Sequence, residues 1–222
     1  MKTWLRQNRG FLLFLVGFAF FRSAMADWNT IPSGSMRPTL LEGDVVLVDR
    51  LAYDLKVPLT DIVLVSLGEP RRGDVVTFTS PRDDMRLIKR LVAVPGDVIE
   101  MRDERLLVNG VAAEYAGFRM VDEPGPSGTR QPALRGTECS AASAHEIQLL
   151  PELPAMRSFG PVVVPADSYF FLGDNRDNSA DSRYIGVVPR QRLIGRARAV
   201  LVSADIVDSW APRFERFARP IR

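Results

Sequence analysis

This chain of 222 residues has one cysteine and one histidine, and lysine occurs only at Lys2, Lys56 and Lys89. Cys139 alone excludes an internal disulfide framework and a multi-cysteine metal site. Cys139 and His145 share a small-residue stretch, Thr137 to His145, without clear periodicity. Catalytic cysteine–histidine pairs are normally brought together from distant segments, so this pair is not taken as a catalytic couple. A net charge of +2 offers no basic footprint for nucleic acid. The scarcity of lysine is set against an abundance of arginine: 26 of the 29 basic residues are Arg. Arginine does not lose its proton in a protein, whereas a desolvated lysine does. A basic residue that must act as a base is therefore histidine or lysine. Lys2 sits in the N-terminal tail. Lys56, in Tyr53-Asp54-Leu55-Lys56-Val57-Pro58, has acidic and turn neighbours and reads as solvated. That leaves Lys89.

Helical periodicity is also sparse. The one long apolar run is near the N-terminus, from Phe11 to Phe21, with Lys2, Arg6 and Arg9 before it and Arg22 after it. Basic residues on the leading side predict a cytoplasmic N-terminus and an exported remainder. The uninterrupted run is short for a spanning helix, which needs about 17–25 residues. It suits a signal-peptide core, and Ala24-Met25-Ala26 has the small-x-small form of a cleavage site. Trp4 and Leu5 extend the apolar character backwards, and Trp4 and Trp28 suit the two membrane interfaces, which favours an anchor. The run by itself leaves both readings open.

Beyond Pro38 the pattern is β. Asp44–Asp49 and Asp74–Thr79 are β-branched runs bounded by turn residues, and Arg86–Val94 is a third. Val98–Met101 and Arg105–Val108 read as a hairpin, followed by the Asn109-Gly110 turn signal. Glu123–Ala144, rich in Pro, Gly and Ser, reads as loop or irregular insertion. Strand signals return at Val162–Val164, Ser168–Leu172 and Arg196–Ser203. The expected fold class is mainly β: an antiparallel, barrel-like core with an inserted smaller β lobe, preceded by one transmembrane helix. The expected division is a cytoplasmic tail at 1–10, an anchor at 11–26 and a catalytic core at 27–109 and 161–205. The insertion is placed at 110–160 and a basic aromatic tail at 206–222. That tail, with Trp210 and Phe214, suits either an interfacial membrane contact or packing onto the domain.

Three segments carry chemistry. In Ile31-Pro32-Ser33-Gly34-Ser35-Met36-Arg37-Pro38, two prolines stiffen the ends of the turn and Gly34 frees its backbone. Such a turn presents a hydroxyl beside a backbone N–H, as acyl transfer requires, and Ser33 adds a second donor. Taken alone it reads as an ordinary Ser/Gly turn after a membrane segment. In the strand containing Lys89, alternation puts Leu87, Lys89, Leu91 and Ala93 on one face, with Arg86 and Arg90 on the other. Lys89 is then the one charge on an apolar face, where burial lowers its pKa towards that of a usable base. Alone, it is equally a lysine snorkelling from a strand end. The third segment, Gly173 to Tyr184, is dense in Asp, Asn and Ser. It fits a calcium loop poorly, since Arg176 interrupts the ligand series. Asp177, Asp181 and Arg183 are expected to form a local ion-pair network that rigidifies the loop and presents Ser179 to a neighbour.

In this order the three segments, with Gly43-Asp44-Val45-Val46, Arg72-Gly73-Asp74-Val75-Val76 and Pro95-Gly96-Asp97, resemble bacterial type I signal peptidases. The Gly-Asp-Asn-Arg-Asp-Asn-Ser-x-Asp-Ser-Arg run is the most specific part. The resemblance implies a membrane-bound serine endopeptidase that cuts signal peptides from exported precursors after Ala-x-Ala-type sites. Ser35 would be the nucleophile and Lys89 the general base. The Ser35 N–H and Ser33 hydroxyl would form the oxyanion hole. Ser179 would hydrogen-bond and orient Lys89, and Asp181 and Arg183 would hold the site. Ile31, Pro32 and Ile88 would line the cleft for small side chains. It implies no cofactor, no metal and no nucleic acid. The implied partners are precursor proteins and a phospholipid membrane. The implied location is the bacterial inner membrane, single-pass, with the catalytic domain on the periplasmic side. The family pattern favours a retained anchor, so self-cutting after Ala26 would release the domain with Ser35 intact. Some relatives carry a cysteine pair in the inserted lobe; here Cys139 is alone. Conjugation-type processing peptidases with restricted substrates are close relatives. A self-cleaving serine/lysine repressor would need a DNA-binding module, and no helix-turn-helix pattern precedes Ser35. A silent exported binding module would not need Ser35, Lys89 and Ser179 together.

Overall fold

The computed structural model describes residues 4, 8–14, 17, 25–57, 60, 62–124, 129–140 and 143–221. Residues 9–14 are helical, and most of the expected anchor beyond them lies outside the described residues. Among the described residues, no helix is long and apolar enough to cross a membrane. The chain enters the sheet at Ala26, the last residue of the expected anchor.

The first strands are β1 (Ala26–Thr30), β2 (Asp44–Asp49), β3 (Asp54–Lys56), β4 (Val63–Ser66), β5 (Val75–Thr79) and β6 (Arg86–Ala93). A second group follows: β7 (Val98–Arg102), β8 (Arg105–Val108), β9 (Val111–Ala112), β10 (Glu114–Pro124), β11 (Arg130–Cys139) and β12 (Ala144–Leu149). The chain then returns through β13 (Phe159–Val163), β14 (Ser168–Leu172), the short helix α1 (Ser182–Ile185), β15 (Val188–Pro189), β16 (Leu193–Ser203) and β17 (Arg219–Pro220). Eight strands build a curled antiparallel half-barrel in the order β1-β2-β16-β5-β6-β14-β15, with β17 on β16. Smaller sheets are β10-β11-β12, β13-β7-β8-β9 and the hairpin β3-β4.

The large sheet folds because its strands carry the pattern that a half-buried sheet needs. β2 alternates, with Val46 and Val48 fully buried. β5 and β14 are apolar almost throughout and buried on both faces. Phe78 of β5 stacks on Phe171 of β14 at 4.5 Å between ring centroids. Each fully buried side chain of this size is worth about 1.5–3 kcal/mol.

β6 departs from simple alternation. Its last five residues are all buried, Arg90 included, with Lys89 3% and Arg90 1% exposed. Lys89 and Arg90 point to opposite faces as expected, and both of those faces are covered. β6 lies between β5 and β14, and apolar clusters cover both of its sides: Ile88 packs on one, Leu87 and Leu91 on a second, Val92 and Ala93 on a third.

Two further expectations change. The stretch read as loop contains the ten-residue strand β11. Its Pro132 faces Asp122 of β10 and lies beyond the stretch paired with β12, so it stands where the strand has a neighbour on one side only. Its Gly136 makes room for the Phe118 ring, which would lie 2.6 Å from an added Cβ. The two residues that look like strand breakers are thus placed where a strand tolerates them. Lys56 is not solvated: it is 8% exposed, and its Nζ donates to the carbonyls of Gln191 at 2.9 Å and Leu193 at 2.6 Å. In the tail, Trp210 and Phe214 stay exposed instead of packing on the domain, whereas Arg216 is buried against Asp44.

Candidate active site

Ser35 sits in a single 3-10 turn, Gly34–Met36. Ser33 precedes it in extended conformation (φ −141°, ψ 155°), and its side chain does not cap the turn. The first amides of such a turn have no partner within it. At Gly34 the backbone has no positive φ, and the Glu42 and Arg37 side chains close over the space a Cβ would take. An added Cβ would meet Glu42 Oε1 at 2.9 Å and Arg37 Nε at 3.1 Å. From the far end of the chain, Asn175 grips the turn with two donors: its backbone N–H reaches the Ser35 carbonyl at 3.1 Å, and its Nδ2 reaches the Gly34 carbonyl at 3.0 Å.

Lys89 approaches from β6. Its Nζ donates to Ser35 Oγ at 2.6 Å and to the Ile88 carbonyl at 3.0 Å. Burial pushes its pKa down from 10.5 to about 8, against the pull of Asp181 and Asp174, which favour the charged form. The ammonium is therefore easily neutralised. The neutral amine can then accept the Ser35 proton along the same 2.6 Å contact.

The loop after β14 frames this pair. Asp181 accepts from the Gly173 amide at 3.0 Å and from Arg183 Nε and Nη2 at 2.8 Å each. Its Oδ1 also caps α1 through the Arg183 amide at 3.2 Å. Asp177, expected in the same network, instead accepts from the Leu150 amide at 2.7 Å and lies beside Arg157. Ser179 is brought to the site, but its Oγ is buried without a hydrogen-bond partner. It packs against Gly173, where an added Cβ would lie 2.3 Å from the Ser179 oxygen and 2.6 Å from the Ser35 carbonyl oxygen. The expected Ser179–Lys89 hydrogen bond is thus absent from this arrangement. Lys89 takes its second contact from the adjoining backbone carbonyl at Ile88 because that acceptor is already in place on β6.

Behind the pair is a buried layer of ions. Arg90 donates to both Asp174 oxygens, at 2.8 and 2.7 Å, and Thr39 Oγ1 donates to the same carboxylate at 2.5 Å. Burial alone would raise the Asp174 carboxyl, but Arg90 beside it holds it below the usual carboxylate range. Arg176 donates twice to Glu138 at 2.7 Å, and the Tyr115 hydroxyl adds a third bond to that carboxylate at 2.7 Å.

Of the expected cleft residues, Pro32 is exposed beside Ser33. Ile88 is half-buried against the cluster that contains Ile31. Ile31 is only 2% exposed; its backbone is tied to Asp44 and Gly43, so its side chain is a core residue in this arrangement. Cys139 and His145 occupy opposite faces of the β11–β12 pair, since Cys139 stands across from Ala144 and Glu138 from His145. Burial pushes His145 down to about 4, so it is neutral at pH 7, 3.7 Å from the Glu138 carboxylate and 3.8 Å from that of Asp174. Among the described residues, no cluster of three or more His, Cys, Asp or Glu could hold a metal ion.

The residues that sequence reasoning left without a role are Asn175, Arg90, Asp174 and Arg37. Asn175 and Asp174 stand in the polar loop, but their partners are more than eighty residues away. The available signal was a second charge, Arg90, directly after Lys89 and followed only by apolar residues to the end of the strand.

A β framework that presents a serine hydroxyl 2.6 Å from a buried lysine amine has the groups of a serine hydrolase. The family description "signal peptidase, peptidase S26" matches residues 2–202. Signal peptidase I of Pseudomonas fluorescens is 39% identical, over 92% of this chain and 74% of that one. Signal peptidase I of Pseudomonas aeruginosa is 36% identical over the same shares. That of Aquifex aeolicus is 32% identical over 87% of this chain and 82% of its own. The chain belongs to the signal peptidases of family S26, which makes it a serine peptidase.

Proposed function

We infer that Ser35 and Lys89 carry out the reaction of this signal peptidase, the removal of signal peptides from secreted precursors. The observation that carries the assignment is the 2.6 Å contact between Lys89 Nζ and Ser35 Oγ at a lysine only 3% exposed. Neutral Lys89 takes the hydroxyl proton as Ser35 Oγ attacks the carbonyl after an Ala-x-Ala-type site. The Ser35 N–H and the Ser33 hydroxyl stabilise the oxyanion; the extended Ser33 and the uncapped first turn support this role. The Lys89 ammonium then protonates the leaving amine, giving an acyl-serine and a free mature N-terminus. A water deprotonated by Lys89 hydrolyses the ester. Asp181 and Arg183 fix the loop against Gly173, and Ser179 fills the space beside it. Pro32 and Ile88 border the entry for small side chains, with Ile31 beneath them.

Residues 11–26 anchor the chain in the inner membrane, with the basic N-terminus in the cytoplasm and the catalytic part on the outer face. The support is Lys2, Arg6 and Arg9 ahead of the apolar run. The test is cleavage of an Ala-x-Ala precursor by the full chain in detergent. Ser35→Ala, Lys89→Ala and Lys89→Arg are each expected to abolish it. In the native chain, kcat/KM is expected to rise with pH and level off above about 8, as Lys89 loses its proton. Activity retained by Lys89→Arg would sink the assignment, because arginine cannot serve as the base.

A further inference from the structure

We propose that Glu123, on the inserted strand β10, is a positioning residue for the Ser35 turn. The proposal rests on Ser35 being the nucleophile. Glu123 is 3% exposed and holds two arginines, Arg37 through one carboxylate oxygen and Arg135 through the other. Each arginine begins a path that ends on the same dipeptide, Gly34-Ser35.

The first path is short. Arg37 is 7% exposed, two residues beyond the nucleophile. Its amide donates to the Gly34 carbonyl at 3.1 Å, and its Nε donates to Glu42 at 2.8 Å. The Arg37 Nε and Cδ atoms lie 3.1 and 3.2 Å from the place of a Gly34 Cβ, so this side chain is the floor under Gly34. Glu123 fixes where that floor stands.

The second path runs through β11 and β12. Arg135 Nε donates to Gln148 Oε1 at 3.0 Å. The Gln148 backbone is bridged to the loop after β14: its amide donates to the Asp174 carbonyl at 2.8 Å, and its carbonyl accepts from the Arg176 amide at 2.9 Å. Between those two residues stands Asn175, whose two donors hold the Gly34 and Ser35 carbonyls. One buried carboxylate on the insertion thus braces the nucleophile turn from below and from the side. An amide at 123 leaves the buried Arg37 with Glu42 alone and takes the carboxylate from the half-buried Arg135, which moves the turn or draws in water. Neither path hydrogen-bonds to Lys89, whose Nζ contacts are Ser35 Oγ and the Ile88 carbonyl. The second path reaches Asp174 only at its backbone carbonyl; the Asp174 carboxylate that acts on Lys89 is held by Arg90.

The experiment compares kcat and KM for precursor cleavage by the full chain in detergent, well below the melting temperature of each variant. Glu123→Gln is expected to lower kcat by about ten-fold or more, since displacing a reacting atom by ~1 Å costs up to a hundred-fold. KM is expected to stay within about two-fold, and the rise of kcat/KM near pH 8 is expected to stay where it is. Glu100→Gln, which weakens the Glu100–Arg102 pair on β7, away from both paths, is expected to leave kcat unchanged. Glu123→Asp keeps the charge but shortens its reach and covers the case in which Glu123→Gln does not fold; it is expected to fold and to lose kcat. Native kcat in Glu123→Asp, or a loss that tracks only the fraction of unfolded protein, would overturn the proposal. Ser35→Ala run alongside separates the two claims. If it is inactive while the Glu123 variants are native, positioning alone fails; if it is active, the nucleophile assignment fails.

Discussion

Lys89 should make this protein less stable than it would be without its base, by an amount that depends on pH. The perturbation is Lys89→Met, which keeps length and apolar volume but removes the charge. The buried ammonium has its pKa lowered from 10.5 to about 8, a difference worth roughly 3 kcal/mol. The sign follows from proton counting. Below pH 8 both folded and unfolded chains carry the proton, and the native state bears the full cost of burying it. Between pH 8 and 10.5 the unfolded chain binds more protons than the folded one, so stability rises with pH. Above 10.5 the cost is gone. Lys89→Met never bears this cost, but it forfeits the bonds to Ser35 and Ile88, each worth about 0.5–1.5 kcal/mol. The variant is therefore expected to be inactive yet as stable as the native chain or more so at pH 7, by up to about 2 kcal/mol. Its advantage should shrink by roughly 3 kcal/mol as pH climbs through the 8 to 10.5 window. Denaturant titrations of both proteins in detergent at pH 7, 8, 9 and 10 read this difference directly, because other titrating groups cancel between the two. A stability gap that stays constant over that range would refute the claim that burial is what readies Lys89.

Two further outcomes follow from close packing. Gly173→Ala puts a Cβ 2.3 Å from Ser179 Oγ and 2.6 Å from the Ser35 carbonyl oxygen, so kcat for precursor cleavage should drop by about ten-fold or more; native kcat would show that the turn yields freely. Lys56→Met removes two charge-assisted bonds to the Gln191 and Leu193 carbonyls and should cost about 1–3 kcal/mol of stability with kcat unchanged, read by denaturant midpoint and precursor cleavage.

Ser35 and Lys89 each stand in a local signal, a proline-bounded serine turn and a rare lysine in an apolar strand, but neither singled out its residue without the other and the polar loop. The strands of the large sheet were legible because their signals are local. What stayed hidden depends on partners far along the chain. Lys56 looks solvated beside Asp54 and Pro58, but its acceptors are more than a hundred residues away, at Gln191 and Leu193. Arg90 was placed only on the face opposite Lys89, because alternation describes one strand and knows nothing of what covers the second side. β11 was read as loop because Pro132 and Gly136 break a pattern, and only the pairing partner and the Phe118 ring show why they are harmless. Asn175 belongs to a run of turn formers in which one amide looks like another until Gly34 arrives opposite it.

The sheet position of β1 has a consequence for the chain's own survival. The Ala26–Asp27 bond, which follows a small-x-small sequence, lies inside a strand paired residue by residue with β2. Asp27 is buried and held by Arg86 at 3.2 Å. A peptidase must strip its substrate into a free extended segment, so this bond can be cut only after the edge of the sheet unzips. With the anchor proposed for residues 11–26, the lifetime of the tether is set by how often β1 frays, and loosening that one edge would shed the domain.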